Sequence, residues 1–265
     1  MSEESVISIF QNFRTILEEF KETGKSHIVF EYFKQKGYPN PTLFEIPNSK
    51  HKAIGFIKKK KIEGYAIVYY KNNDYFVGKY QNNKKNGYGY HFFPSGHVFK
   101  GEYENDSKLK GIVFNPNTKK IIYEGGFVND LYHGKGMLYR PFEGTYRGSF
   151  KLGMFNGDGE IEFENGNIYK GDFVRGVREG KGEMVFASGD TYEGDFKKNK
   201  FHGYGTYTWA NGSTFIGEFK NGDMIGEGKM RFNNLGINAE GSWQGRRNSK
   251  KIRFTLGLET NKELY

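Results

Sequence analysis

The 265-residue chain has no cysteine and no long apolar run, and each absence excludes a class of protein. Without cysteine there are no disulfides, no thiolate metal ligands and no cysteine nucleophile. No apolar stretch approaches the roughly 18 residues that a membrane-spanning helix needs. The first residues, Met1 to Glu4, are acidic where a secretory or organellar leader would be basic. We therefore expect a soluble intracellular protein.

Glycine and aromatic residues are abundant instead. The chain has 37 glycines, and aromatic residues make up 17% of it, although hydrophobic residues as a whole reach only 36%. Glycine-rich chains are often disordered, but disordered chains are poor in aromatic residues. A chain rich in both is therefore expected to be ordered.

The net charge of +9 is concentrated in two parts of the chain. Residues 51–124 carry a net charge of +8 and residues 246–265 carry +4, whereas residues 1–50 carry −1 and residues 125–245 carry −2. A nucleic-acid groove requires a continuous basic track. This distribution does not provide one, so we expect no nucleic-acid partner.

The strongest signal is a motif, aromatic-x-Gly-x-aromatic, that recurs at intervals of 23 or 24 residues. Its central glycines are Gly78, Gly101, Gly125, Gly148, Gly171, Gly194 and Gly217. Degenerate copies around Gly55 and Gly241 extend the series to nine. Most copies continue with a Gly-x-Gly pair, such as Gly180 and Gly182, and several end in Asn-Gly or Ser-Gly.

The alternation of side chains along a strand predicts the local structure of each copy. Tyr169, Gly171 and Phe173 fall on one face of a strand, and Lys170 and Asp172 fall on the other. Each copy is therefore predicted to be a β-hairpin with a short turn to the next copy. The glycines leave space on which neighbouring rings can lie. Because a single hairpin is only marginally stable, stacked copies must stabilise one another.

The combined pattern resembles the MORN repeat (membrane occupation and recognition nexus), most closely from Tyr192 to Phe196 and from His202 to Gly205. The resemblance covers roughly residues 53–245. It implies an all-β fold, an elongated single-layer antiparallel sheet of about nine 23-residue hairpin repeats. It also implies a non-enzymatic scaffold that holds partner helices or peptides along the sheet. Hosts of such repeats include ciliary radial-spoke heads, protist cytoskeletal collars and membrane junctions.

We expect three segments along the chain: a helical N-terminal cap or docking segment at 1–50, the repeat array at 51–245, and a basic C-terminal tail or cap at 246–265. An apolar stripe from Val6 to Phe20 predicts one helix, and a second short helix is predicted from Ser26 to Gly37. Two interpretations of these helices stay open. They cap the open edge of the first hairpin, or they dock a partner or a second copy of the chain. The tail contains a candidate final strand, Ile252 to Leu258.

Two sets of residues are candidate binding sites. The first is the aromatic face, where rings left uncovered would anchor protein partners: Tyr123, Phe127, Tyr146, Phe150, Tyr169, Phe173, Tyr192 and Phe196. The second, at the basic ends of the array, would bind anionic phospholipids as a peripheral membrane module: Lys58, Lys59, Lys60, Lys61, Arg246, Arg247, Lys250 and Lys251. We favour the scaffold; strong salt dependence would mark the membrane alternative.

No pattern of catalytic, cofactor-binding or metal-binding residues stands out. Gly24-Lys25-Ser26 lacks the glycine five residues earlier that a phosphate-binding loop requires. His133 and His202 precede Gly-x-Gly pairs, where other copies have Asn or Glu, so they are hairpin positions rather than a ligand set. We expect no enzyme activity, no cofactor and no metal. We also expect a cytoplasmic protein on the cytoskeleton or cilium, with an organelle association left open.

Overall fold

In the part of the chain that the structure describes, antiparallel β-strands follow one another and a short α-helix precedes them. The structure is a computed structural model that describes residues 27–38, 40–46, 51–70, 72–246 and 253–256. Within these ranges the predicted all-β architecture is confirmed. Helical structure there is limited to an α-helix and a single 3-10 turn at Asn233–Leu235.

The chain divides into two units, Met1–His133 and Gly134–Tyr265. The first contains helix α1 (His27–Gln35) and strands β1 (Thr42–Glu45), β2 (Lys52–Lys58), β3 (Lys61–Tyr69), β4 (Tyr75–Gln81), β5 (Lys84–Phe92), β6 (Val98–Glu104), β7 (Ser107–Phe114) and β8 (Ile121–Val128). The second contains most of β9 (Leu131–Arg140), followed by β10 (Gly144–Lys151), β11 (Met154–Phe163), β12 (Ile168–Val174), β13 (Val177–Val185), β14 (Thr191–Lys197), β15 (Lys200–Thr208), β16 (Thr214–Lys220), β17 (Asp223–Phe232), β18 (Ile237–Arg246) and β19 (Arg253–Leu256).

The strand register aligns the glycines of successive strands into a row. In the second unit this glycine row consists of Gly136, Gly148, Gly159, Gly171, Gly182, Gly194, Gly205, Gly217, Gly228 and Gly241. In the first unit it consists of Gly55, Ala66, Gly78, Gly89, Gly101, Gly111 and Gly125. The 23-residue repeat of the sequence is therefore a row of glycines, interrupted by Ala66, across the strands of each unit.

Aromatic rings lie on this row, which explains why its positions are glycine, with Ala66 as the exception near its start. A Cβ added at Gly205 would lie 2.6 Å from the hydroxyl oxygen of Tyr192, and its three nearest atoms would all belong to that ring. Gly182 is covered in the same way by Tyr169, and Gly159 by Tyr146. Each ring thus replaces the missing side chains of two paired glycines.

The hairpin tips turn through residues with left-handed backbone, which matches the twist of the flanking strands. The tip between β2 and β3 has φ of 49° at Lys59 and 61° at Lys60. The tip between β14 and β15 has φ of 49° at Lys198 and 67° at Asn199. Asparagine and aspartate tolerate this conformation better than most residues, which fits their frequency at the tips.

In the first unit, helix α1 covers the sheet face opposite the one that carries the rings. Val29, Tyr32 and Phe33 are fully or almost fully buried and pack in one apolar cluster with sheet residues that include Ile54 and Ile67. The expectation of a single layer therefore needs correction in this unit, because the sequence pattern of the strands does not reveal where a flanking helix will pack. In the second unit the same face carries exposed charged residues such as Lys170 and Glu193.

The predictions for the flanks have mixed outcomes. The second predicted helix is present as α1, and a final strand is present as β19, paired with β18. The edge of the first hairpin is paired by β1 rather than by a helix. The helix predicted from Val6 to Phe20 lies outside the described residues. Its proposed role in capping or dimerisation stays a prediction.

Candidate partner-binding surface

One sheet face, here called the ring face, carries the glycine row and the rings that lie on it. In the second unit the rings of Tyr146, Tyr169, Tyr192 and Phe215 lie on this row; in the first unit those of Phe76 and Phe99 do. A second set of rings links neighbouring copies edge to face. Phe173, for example, lies 5.1 Å from Tyr146 of the preceding copy and 5.2 Å from Tyr169 of its own copy. Such pairs stabilise beyond the area they bury.

All eight aromatic residues predicted to bind partners are buried in these contacts. Their exposed fractions are at most 6%, for the following residues: Tyr123, Phe127, Tyr146, Phe150, Tyr169, Phe173, Tyr192 and Phe196. In this structure they hold the copies together. A direct role of these eight residues in partner binding stays a prediction. The rings that remain partly exposed belong to other residues of the ring face.

The hydroxyls of the tyrosines on the glycine row donate to backbone carbonyls three residues further on. Tyr146 donates to the carbonyl of Ser149 at 2.9 Å, and Tyr169 donates to that of Asp172 at 3.0 Å. Burial raises the pKa of Tyr146 to about 12. These hydroxyls therefore serve the fold as neutral donors and offer no acid or base chemistry at neutral pH.

Partly exposed aromatic residues recur on the ring face at the strand ends. Phe163, Phe186 and Trp209 are spaced 23 residues apart, and all three are half-buried. Phe186 lies 6.2 Å from Phe201, and Trp209 lies 4.8 Å from Tyr207, so both belong to the ring face. Half-buried rings of this kind are typical anchors of protein interfaces.

A further position, here called the stacking position, is seven residues after the central glycine of each copy. Its side chain lies on the ring of its own copy: Tyr132 stacks on Tyr123 at 3.7 Å, and Phe201 stacks on Tyr192 at 3.7 Å. The residues at this position are Ile62, Lys85, Lys108, Tyr132, Phe155, Arg178, Phe201 and Met224. Three of the eight are cations, where the others are apolar or aromatic.

Each of the three cations lies among aromatic rings. The Lys85 ammonium lies 5.0–5.4 Å from the ring centres of Tyr70, Phe76 and Tyr103. The Arg178 guanidinium lies 5.4–5.8 Å from those of Phe163, Tyr169 and Phe196. These distances are within cation–π range. Burial lowers the pKa of Lys85 and that of Arg178. At Lys85 the negative charge of Asp106 counteracts this effect.

In the second unit a groove of about 810 Å³ crosses the ring face beside Arg178. Its apolar lining comprises Phe163, Met184, Phe186 and Phe201. Its polar lining comprises Asn165, Asn167, Arg178, Asn199, Lys200, Asn221 and Asp223. The groove thus combines half-buried rings with a partly buried cation, which suits a peptide segment that has both apolar and polar side chains.

In the first unit a cluster of polar side chains lies on the ring face. His91 is 8% exposed and lies 3.2 Å from the Asp74 carboxylate. Burial, together with the charges of Lys85 and Lys108, lowers the pKa of His91 to about 3 in spite of this carboxylate. Tyr207 is the counterpart of His91 in the second unit and donates a hydrogen bond to Asp190. We conclude that a neutral His91 fulfils the same structural role.

The predicted lipid-binding lysines form a hairpin tip in the first unit. Lys58, Lys59, Lys60 and Lys61 are all exposed, and three of them line a shallow groove of about 500 Å³ that includes Tyr38 and Phe56. Arg246 is the last residue of β18. Arg247, Lys250 and Lys251 lie outside the described residues, so the second basic end stays a prediction.

No group of three or more His, Cys, Asp or Glu residues in the described ranges is arranged to hold a metal ion. In those same ranges no helix is both long and apolar enough to cross a bilayer.

The comparison with protein families identifies the repeat. The MORN repeat model matches residues 76–98, 123–141, 146–168, 169–191, 192–214 and 215–236. The chain belongs to the MORN repeat family. Six segments match, so the predicted count of nine is not confirmed. The copy at Gly101, which has lost its Gly-x-Gly pair, and the two end copies lie outside the matched segments.

The solved structures that this chain resembles are distant from it in sequence. A mutant of the TCP10 domain of Danio rerio CPAP is 11% identical, with a TM-score of 0.41 over 77% of this chain and 95% of that chain. The SAS-4 (dCPAP) TCP domain of Drosophila melanogaster, in complex with a proline-rich motif of Ana2 (dSTIL), is 10% identical, with a TM-score of 0.29 over 67% and 83%. No curated protein matches the chain.

The sequence reasoning missed Arg178 and the half-buried rings of Phe163, Phe186 and Trp209. The same 23-residue period would have found them, because all are in phase with the glycines. What the period does not reveal is exposure, since buried and half-buried rings follow the same rule of alternation.

Proposed function

We propose that this MORN repeat protein is a non-enzymatic scaffold that binds segments of other proteins on the ring face of its second unit. The observation that carries the proposal is the row of half-buried rings, Phe163, Phe186 and Trp209, next to a groove of about 810 Å³. Apolar side chains that the fold leaves partly exposed in a concave surface are favourable anchors for a partner.

The opposite face supports this choice of surface by contrast. In the first unit that face is covered by α1, and in the second unit its central positions include Lys170, Glu183 and Glu193, all exposed. That face also exposes Ile168, Tyr204 and Ile216, so among its charged residues the apolar area it offers to a partner is limited rather than absent. The ring face of the second unit is therefore the favoured contact surface.

The experiment combines extraction of the native protein with matched variants. Neutral detergent and then high salt are applied to cells that make the protein, and we expect release together with partner proteins in a fixed ratio. Phe186→Ala and Trp209→Ala should lose these partners while thermal unfolding stays cooperative. Ile216→Ala, on the opposite face at 41% exposure, should retain them. Retention of every partner by both ring-face variants would refute the proposed surface.

We further propose that the assembly is cytoskeletal or ciliary, on the basis of the known hosts of MORN repeats. Immunofluorescence of the tagged protein with markers of the axoneme and of the cytoskeleton tests this proposal. A diffuse signal that detergent extracts completely would contradict it.

A second candidate function is contact with anionic phospholipids, and the exposed tip from Lys58 to Lys61 favours it. Each basic residue near an anionic surface contributes about 1 kcal/mol to binding. Cosedimentation with phosphatidylserine vesicles should then fall steeply with salt and be lost when all four lysines are changed to glutamine. Salt-insensitive binding, or none, would exclude this function for the tip.

A further inference from the structure

The three cations at the stacking position differ in their counter-ions. Lys108 forms a 2.8 Å ion pair with Asp130. Lys85 donates its backbone N–H to the Asp106 carboxylate at 2.8 Å, and the charge of Asp106 raises the pKa of its ammonium against the effect of burial. Both aspartates occupy the second residue of the next hairpin tip.

At Arg178 the equivalent tip residue is neutral. The side-chain oxygen of Asn199 accepts a hydrogen bond from the backbone N–H of Arg178 at 2.8 Å. The backbone carbonyl of Asn199 accepts one from the Arg178 guanidinium at 2.9 Å. Within the described ranges no carboxylate forms an ion pair with this guanidinium, and no carboxylate is among the groups that shift its pKa. Arg178 is thus a partly buried cation that forms no ion pair within the described residues, although Asp223 lines the same groove.

In the other copies the charge of the tip residue follows that of the stacking residue. The uncharged stacking residues Ile62, Tyr132, Phe155 and Phe201 are followed by the uncharged tip residues Asn83, Gly153, Gly176 and Gly222. Lysine is followed by aspartate twice. Arginine followed by asparagine is the exception, and it occurs where the groove opens on the ring face.

We propose that the Arg178 groove docks a linear segment of a partner protein and that a carboxylate side chain of that segment pairs with Arg178. Apolar side chains flanking the carboxylate contact Phe163, Phe186 and Phe201. Charge complementarity selects this occupant, because a guanidinium among rings binds a carboxylate in a planar, two-pronged geometry that a lysine would not provide. This inference rests on the proposed scaffold function and specifies the chemistry of its partner.

The chain itself provides matched variants. Arg178→Phe introduces the residue type found at the equivalent positions Phe155 and Phe201, so the stack is preserved while the charge is lost. Asn199→Asp reproduces the in-chain counter-ion of Asp106 and Asp130 at a tip that already has left-handed backbone. Lys170→Gln removes one positive charge from the opposite face and controls for net charge.

The probe is a displayed library of random linear peptides, selected in parallel on the full-length wild type and on each variant. We expect the wild type and Lys170→Gln to select peptides with Asp or Glu next to aromatic or aliphatic residues. Replacing that acid by its amide in a selected peptide should weaken binding to the wild type about tenfold or more. The same replacement in the peptide should change binding to Arg178→Phe by less than about twofold. Asn199→Asp should weaken binding of the unmodified peptide.

The outcomes separate the two proposals. If the wild type and Arg178→Phe select the same peptides without acid enrichment, the scaffold surface stands and the acidic specificity is overturned. If neither selects any peptide, the scaffold proposal fails as well. Binding to phosphatidylserine vesicles or inorganic phosphate that is lost in Arg178→Phe, without acidic peptides, would identify a lipid or phosphate site and overturn the inference.

Discussion

Replacement of Gly205 by alanine should destabilise the protein only while the ring of Tyr192 is present. The added Cβ would lie 2.6 Å from the hydroxyl oxygen and 2.8 Å from two ring carbons of Tyr192, which is closer than real Cβ contacts allow. Tyr192 is fully buried and stacks on Phe201 at 3.7 Å, so it has no free space to move into. Overpacking of this kind costs about 1–3 kcal/mol. For a chain of this size that lowers Tm by roughly 3–10 °C.

A double-mutant cycle tests the cause directly. Tyr192→Ala alone should cost about 3–5 kcal/mol, because it removes a buried ring. In that background Gly205→Ala should become neutral or stabilise by about 0.5–1 kcal/mol, since alanine loses less backbone entropy in a strand than glycine does. The cycle is measured by urea unfolding of all four proteins. An equal cost of Gly205→Ala in both backgrounds would refute the account of why the row is glycine.

Three further predictions concern other residues. The pKa of His91 is lowered to about 3 in the folded protein, below its ordinary value near 6.5. Between these two pH values the unfolded chain therefore protonates His91 and the folded protein does not. The contribution of neutral His91 to stability is complete above pH 6.5, and the free energy of unfolding should fall by at most about 1.4 kcal/mol per pH unit toward pH 3. His91→Tyr, which introduces the residue of the equivalent position Tyr207, should flatten this acid limb in urea unfolding at several pH values, and an unchanged limb would contradict the assignment. Phe173→Ala should cost about 3–5 kcal/mol by thermal or urea unfolding, since the ring is 3% exposed; near-native melting with lost partner binding would show instead that the ring faces a partner. Asn199→Asp should raise the free energy of unfolding by about 0.2–1 kcal/mol at low salt and by less at high salt, because it supplies the half-buried Arg178 with a counter-ion at an exposed tip position; destabilisation at low salt would contradict the proposed geometry.

The repeat architecture was predictable from the sequence because its signals are local. Strand alternation placed Tyr169, Gly171 and Phe173 on one face, and the structure agrees through the pairing of Gly171 with Gly159 and Gly182. Left-handed turn residues fixed the hairpins and the links between copies. These features depend on neighbours within one or two strands, so a single copy reveals them.

The surface was less predictable because exposure depends on contacts between copies. The tyrosines on the glycine row look like exposed anchors in sequence, but rings of adjacent copies cover them. Phe186 obeys the same alternation and stays half-buried, since it lies at the strand end where fewer rings surround it. The packing of α1 on the first sheet likewise depends on contacts distant in sequence.

The most direct test of the scaffold account is photo-crosslinking from the two sides of one strand end. A photoreactive phenylalanine analogue replaces Phe186 on the ring face in one strain and its neighbour Val185 on the opposite face in another. After irradiation of living cells, the account predicts that position 186 captures one protein in a fixed ratio and that position 185 does not. Equal capture from both positions, or capture from position 185 alone, would contradict the claim that the ring face binds the partner.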